Sequence, residues 1–263
     1  MTNLIVPFTR RASFRKLPYE YDQGRGVYSG GLRGGVTATL NLDFTTMTAL
    51  PSTITFSRPS NATYYDSTGK LTYAPNNQLL YSQDFTNAAW VISGTVTRTS
   101  GQTDPSGGTT ATKLDLGASS GIYQFAGSKV GNYVFSVWVK GDTAGTIRLS
   151  DASGGAFDLN VNVTTTWARV DTGSRAISGF VSPYINRSTG NLATVYVAFS
   201  QFELVTYQTT PGTYNATTSA VYYGARLDYN PATLAARGLL IEEARTNLAR
   251  SSGAFGNASW TVN

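Results

Sequence analysis

The strongest constraint on what this chain can fold into is a period of two. Tyr133, Phe135, Val137 and Val139 alternate with Ser136, Trp138 and Lys140, so the first set shares one face of a strand and the second shares the other. Phe157, Leu159, Val161 and Val163 alternate in the same way with Asp158, Asn160 and Asn162, and Val195, Val197 and Phe199 with Tyr196, Ala198 and Ser200. Turn clusters separate these runs: DPSGG, KGDTAG and DASGG. Short strands, frequent turns and scarcely any helical pattern predict an all-β fold, an antiparallel two-sheet β-sandwich of jelly-roll type over residues 77–205. Phe135, Val137, Leu159, Val161 and Val197 are expected in its core.

Composition then removes whole classes of chemistry. The chain has no Cys and no His, which excludes disulfides, thiolate nucleophiles, histidine triads and most zinc chemistry. Charged residues make up 13%, about half the usual share of roughly 25%. With 16 Tyr, 12 Phe and 4 Trp there is ample material for a core. Glu242 and Glu243 are adjacent, so they point different ways and make a poor acid–base pair. Asp151 and Asp158 flank a Gly-rich turn, where carboxylates cap or solvate turns. The sequence therefore reads as a protein that binds and assembles without turnover.

Five segments are expected. Residues 1–35 form an irregular N-terminal arm with Pro7, Pro18 and the Gly-rich GRGVYSGGLRGG. Six basic residues fall in residues 1–40 against Glu20 and Asp22, leaving 14 basic and 13 acidic groups in residues 41–263. The net charge of +5 thus belongs mostly to the arm, which is either a solvated tail or a docking element for an acidic partner. The body offers no basic stripe that would make nucleic acid the partner. Residues 36–76 read as a β-hairpin collar built from TATLNLDF, TITFSR and ATYYDSTGKLTY, the last turning at Asp66–Gly69. The sandwich follows at 77–205 and a connector at 206–246, in which GLLIEEARTNLAR reads equally as a short helix or as a strand and turn. Residues 247–263 repeat 77–93 at a constant offset of 170, with Asn77/Asn247, Ser82/Ser252, Phe85/Phe255, Asn87/Asn257, Ala88/Ala258 and Trp90/Trp260 identical. They read as the start of a second repeat, either pairing with an existing sheet or continuing into a second jelly roll. No run approaches the roughly 20 apolar residues that span a bilayer. At the start, MTNLIVPFTRR puts its apolar run before its charges, the reverse of a secretion signal, so synthesis in a cytoplasm is expected.

Several strings together carry a family likeness: ITFSRPSNATYYDSTGKLTYA, LLYSQDFTNAAW, GNYVFSVWVKG, TTTWARV, FSQFELVTYQTTPGTYNATTSAV and, most specific, GLLIEEARTNL. Over roughly residues 50–263 the chain resembles a module of tailed-bacteriophage structural proteins, especially tail and head fibres. The module's centre looks like a carbohydrate-binding-module jelly roll. The resemblance implies a virion component made in the bacterial host. Its partners would be other virion proteins of the tail, the portal–adaptor region or the capsid, and a host-surface glycan. It also implies a homo-oligomer, above all a trimer. In that setting Phe8, Arg10, Arg11, Arg15 and Lys16 are the docking candidates of the arm. Two other readings stay open: a purely architectural decoration or linker without a glycan ligand, and an ancillary module of a polysaccharide-degrading enzyme.

Sugar recognition needs flat aromatic faces with polar groups at the rim. Trp138, Lys140, Asp158, Asn160 and Tyr196 meet that description on outward strand faces, although a lone strand tryptophan is commonly buried or a subunit contact. Trp90 and Trp167 read as core. Arg169 and Arg245 read as internal cations paired with Glu203 or Glu242. No cofactor is expected beyond a structural calcium of the kind jelly rolls often hold, for which the sequence names no ligands.

Overall fold

The structure is a computed structural model whose described residues are 42–242. Among them no helix forms. The hairpin strands β1 (Thr63–Tyr65) and β2 (Leu71–Tyr73) come first, followed by β3 (Asn76–Asn77). Next are β4 (Val91–Ser93), β5 (Val96–Gln102), β6 (Ala111–Leu116), β7 (Gly121–Tyr123) and the long β8 (Gly127–Gly141). Then come β9 (Gly145–Asp151), β10 (Asp158–Val163), β11 (Ala168–Asp171), β12 (Arg175–Val181) and β13 (Pro183–Asn186). The last four are β14 (Thr194–Val205), β15 (Tyr222–Tyr223), β16 (Leu227–Tyr229) and β17 (Ala236–Leu239).

Two antiparallel sheets make the sandwich. One has the order β10-β9-β13-β7-β4; the other has β11-β8-β14-β6-β5, with β12 on the same edge of β8 as β11. Their facing side chains follow the alternation. Tyr133, Phe135, Val137 and Val139 of β8 meet Ile147 and Leu149 of β9, Val161 and Val163 of β10 and Ile185 of β13 in one continuous core. Each large side chain taken fully out of water contributes about 1.5–3 kcal/mol. Leu159 is only half-buried, because β10 is the edge strand of its sheet.

One alternation breaks. Three residue steps on β14, from Ala198 to Gln201, lie against two on β8, from Trp138 to Ser136. This is a bulge, and Phe199 sits in it at φ 50°. Val195, Val197 and Phe202 stay in the core, but Phe199 turns to the opposite face, against Ala198 and Ala111. The expectation that Phe199 shares a face with Val195 and Val197 is corrected accordingly.

The segment leading into the sandwich is held by specific bonds. Asn77, fully buried, donates to Ser200 O and Asn215 O and accepts from Leu79 N and Phe202 N. Phe85 and Trp90 pack with ring centroids 4.8 Å apart, and Arg98 donates to the carbonyls of Phe85 and Trp90. Asn77, Ser82, Phe85 and Trp90, four of the positions repeated at 247–263, are all buried here. The second copy itself lies outside the described residues, as do the arm, Glu243 and Arg245.

The collar is more irregular than its sequence predicts. The β1–β2 hairpin turns at Asp66–Gly69, where Asp66 Oδ1 accepts from Thr68 N and Lys70 N. In contrast, the described end of TATLNLDF is a turn, because Asp43 accepts from Thr45 N and Thr46 N. TITFSR forms no ladder; a turn from Pro51 to Ile54 starts it and Pro59 follows it. Of GLLIEEARTNLAR, Gly238 and Leu239 belong to β17, paired with β16.

Candidate functional site

The register of the six-stranded sheet gathers polar and aromatic side chains on its outer face. Tyr196 of β14 lies directly between Lys140 of β8 and Lys113 of β6. Lys140 Nζ is 4.6 Å from the Tyr196 ring centroid and 5.5 Å from that of Trp167. In the next row Trp138 is flanked by Arg169 of β11 and Ala198 of β14. Trp138, Trp167 and Tyr214 pack over the buried Ala111, Ala198 and Phe199, and Tyr214 stacks on Phe199 at 5.0 Å. Ala111, Ala198 and Phe199 thus form the floor, and the rings of Trp138, Trp167 and Tyr214 form the walls. Trp138, Trp167, Lys140 and Tyr196 are each half-buried: fixed by packing on one side and open on the other.

Trp167 was expected in the core and is not there. It precedes β11, whose pairing sets Ala168 against Val139 and carries Trp167 to the outer face beside Lys140. That placement depends on which strand β11 joins, and no local pattern encodes it. Tyr214 and Lys113 were also missed; Tyr214 reaches the site from a loop. Trp90, by contrast, is in the core.

Asp158 and Asn160 do not join this group. They are exposed on the outer face of the other sheet. There Asp158 forms an ion pair with Arg148, and Asn160 accepts from Thr189 Oγ1 at 2.6 Å. The docking candidates Phe8, Arg10, Arg11, Arg15 and Lys16 lie outside the described residues.

One half of the outer face is roofed by a strap, residues 206–218, and the other half is open. Arg169 donates to Gly212 O at 2.6 Å, and Gly212 N donates to Glu203 Oε1 at 2.7 Å. A single residue, Gly212, therefore stands between the cation and the carboxylate. Of the two carboxylates expected as partners, Glu203 is linked to Arg169 only through Gly212, and Glu242 pairs with Arg226. Gln201 fixes the strap at Thr213 O and Asn215 N. Tyr214 Oη is 2.6 Å from Ser82 Oγ. Burial pushes the Glu203 carboxyl up and the Tyr214 phenol up to about 12. At the open end, hydrogen bonding from Thr194, together with Lys113, holds Asp115 below the usual carboxylate range.

Among the described residues no three acidic side chains converge. Buried Asp104 already accepts from Ser106 N, Gly108 N, Thr110 N and Thr110 Oγ1. Asp151 likewise caps its turn through Ser153 N, Ala156 N and Ser182 N. Among the described residues no helix is long and apolar enough to cross a membrane.

No protein-family model matches the chain, and no curated protein matches it. Solved structures with a similar fold include a family 61 carbohydrate-binding module in complex with β-1,4-galactotriose, at 17% identity over 49% of this chain and 98% of that one, TM-score 0.37. Another is the C-terminal family 22 carbohydrate-binding module of Clostridium thermocellum Xyn10B, at 12% identity over 52% and 95%, TM-score 0.33. A third is the enzymatically active domain of bacteriophage CBA120 tailspike protein 4, at 19% identity over 49% and only 21% of that chain, TM-score 0.35. At these scores the likeness carries no argument about ligand or activity.

Proposed function

We propose that the sandwich is a glycan-binding module and that the open half of its outer face takes an oligosaccharide. The observation that carries this reading is the cross-strand row Trp167–Lys140–Tyr196–Lys113, beside the row in which Trp138 packs on Ala111 and Ala198. Pyranose rings present apolar C–H faces that stack on aromatic rings, and their hydroxyls suit charged and hydroxyl groups at the rim. Lys140, drawn to both rings by their negative faces, separates two platforms and is a hydrogen-bond donor between them. Four adjacent strands at ~4.8 Å spacing give a row about 14 Å long, longer than one sugar ring.

The virion role belongs to the same proposal and rests on the family resemblance. In it the basic arm, with Phe8, Arg10, Arg11, Arg15 and Lys16, attaches the protein to a phage particle as part of a tail fibre or related appendage. The sandwich presents its open face to the host surface, as a homo-oligomer and without turnover. A second reading, an architectural part without a glycan ligand, is favoured by one observation. Phe125 and Phe180 stack at 5.8 Å while 59% and 67% exposed, the kind of apolar surface that marks a protein contact.

A glycan array probed with the wild type, Trp138→Ala and Trp167→Ala separates the readings. Binding that each substitution weakens by about tenfold, as expected for one lost stacking contact of ~1.4 kcal/mol, supports the glycan site. An array on which the wild type binds nothing, while Phe180→Ser reduces self-association in sedimentation, overturns it in favour of the architectural part.

A further inference from the structure

Away from the aromatic row, a cleft of about 530 Å³ opens between the segment leading into the sandwich, the β5–β6 hairpin and the end of the strap. None of Trp138, Lys140, Trp167 or Tyr196 lines it. Its size falls within the range of small-molecule sites. Hydroxyls dominate its walls: Thr86, Thr109, Thr110 and Thr218 are all exposed at its surface. Asp84 is the single charged residue of the lining, and its Oδ1 already accepts from Thr86 N and Thr86 Oγ1.

Tyr81 makes this cleft more than a surface recess. It lines the cleft with its backbone at φ 46°, a left-handed conformation that a bulky side chain rarely adopts. The backbone is clamped on both sides. Tyr81 N donates to Thr218 O at 2.8 Å, and Tyr81 O accepts from Asp84 N at 3.0 Å and from the Trp90 indole at 3.2 Å. Glycine would satisfy those bonds without strain, so the backbone conformation alone does not call for a tyrosine. An aromatic ring held at a cost in a polar cleft is the kind of outlier that marks a functional position. Gly101, also in the lining, sits at φ 76° in the bulge between β5 and β6, with open space where a side chain would project.

We propose that this cleft is a second ligand site, independent of the outer face, for one neutral sugar unit. The ring of Tyr81 is its stacking platform, and the threonine hydroxyls with Gln83 are its hydrogen-bonding rim. The chemistry selects the class. No basic residue lines the cleft, so a phosphate, sulfate or carboxylate group finds no countercharge and meets Asp84 instead. A neutral polyol finds donors and acceptors together: the hydroxyls of Thr86 and Thr110, already donating to Asp84 and Asp104, accept, while those of Thr109 and Thr218 can do both. With a site on the outer face as well, one module engages a polysaccharide at two points, which raises avidity without any new contact.

Amide NMR titration of the isotope-labelled full chain tests the proposal, with galactose, glucose, N-acetylglucosamine, lactose and, as the charged comparator, sialyllactose. The expected result is saturable shifts at Tyr81, Thr109 and Thr218 with at least one neutral sugar, and weaker ones with sialyllactose. Tyr81→Gly is expected to lose about tenfold in affinity, one aromatic contact, while remaining folded, because the relief of its left-handed strain offsets the lost packing of the half-buried ring. Thr109→Val and Thr218→Val, at exposed positions that leave the fold intact, are each expected to weaken binding several-fold. Trp138→Ala leaves the cleft signals unchanged. The proposal is overturned by an absence of saturable shifts at those amides with every sugar. It is equally overturned by shifts that survive Tyr81→Gly and both valine variants, or that vanish with Trp138→Ala.

Discussion

Asn77 is where the bulge, the strap and the leading segment meet, and Asn77→Ala should show how much that joint is worth. The side chain is fully buried and makes four hydrogen bonds of 2.9–3.1 Å, two donated and two accepted. Alanine leaves Ser200 O, Asn215 O, Leu79 N and Phe202 N without those partners. Each buried orphan costs about 1–3 kcal/mol, and water entering the vacated space recovers part of the total, so a net loss of about 3–5 kcal/mol is expected. At a urea slope of ~2–3 kcal/mol/M, that lowers the unfolding midpoint by roughly 1–2.5 M. Asn77→Asp refines the test. Its carboxyl would sit beside two carbonyl oxygens, which raises its pKa in the folded state, so the folded protein binds more protons than the unfolded chain. Stability of this variant is therefore greatest in acid and falls as pH rises above the ordinary carboxylate value. Urea titrations of the three proteins at acid and neutral pH decide the matter. An alanine variant within about 1 kcal/mol of wild type would refute the reading of Asn77 as a structural joint.

Two further substitutions probe the frame around the site. Glu203 has its carboxyl raised by burial; its contribution is fully present below the ordinary carboxylate pKa and is lost as pH rises through the raised value. Glu203→Gln keeps an acceptor for Gly212 N and should flatten that part of the stability–pH curve, raising stability at neutral pH but not in acid; an unchanged curve counts against the assignment. Gly121→Ala would put a Cβ 2.2 Å from Ile185 O and 2.6 Å from Asn186 Cα. Both neighbours are backbone within the sheet, so a loss of more than about 3 kcal/mol is expected, and a melting temperature close to wild type would contradict the packing.

What was legible in the sequence is what depends on one strand at a time. The alternation of Tyr133–Lys140 identifies both faces of β8 without knowledge of its neighbours, and the DSTG turn encodes its own hairpin through Asp66 and Gly69. What escaped needs two strands or more. Asp158 and Asn160 look as outward and polar as Tyr196, but β10 joins the other sheet, so they pair with Arg148 and Thr189 instead. Phe199 continues the period of Val195 and Val197, yet the ladder to β8 slips by one residue there. The slip sends its ring outward, where Tyr214 covers it. Trp167 reads as a strand start with an apolar neighbourhood, and only the pairing of β11 with β8 moves it from the core to the surface.

The bulge also accounts for why the outer face is divided at all. Without it Phe199 would point into the core, and the strap would lose the ring on which Tyr214 stacks. With it, Gln201 and Glu203 turn outward in register with Ser136 and Val134, and both are buried there under the strap. Their side chains supply the bonds to Gly212, Thr213 and Asn215, and Arg169 closes the strap from the β11 side. Beyond the bulge, toward the start of β14, the same face presents Ala198 and then Tyr196, which leave the aromatic row uncovered. A single inserted residue thus separates a half of the sheet committed to holding its own chain from a half free to hold another molecule.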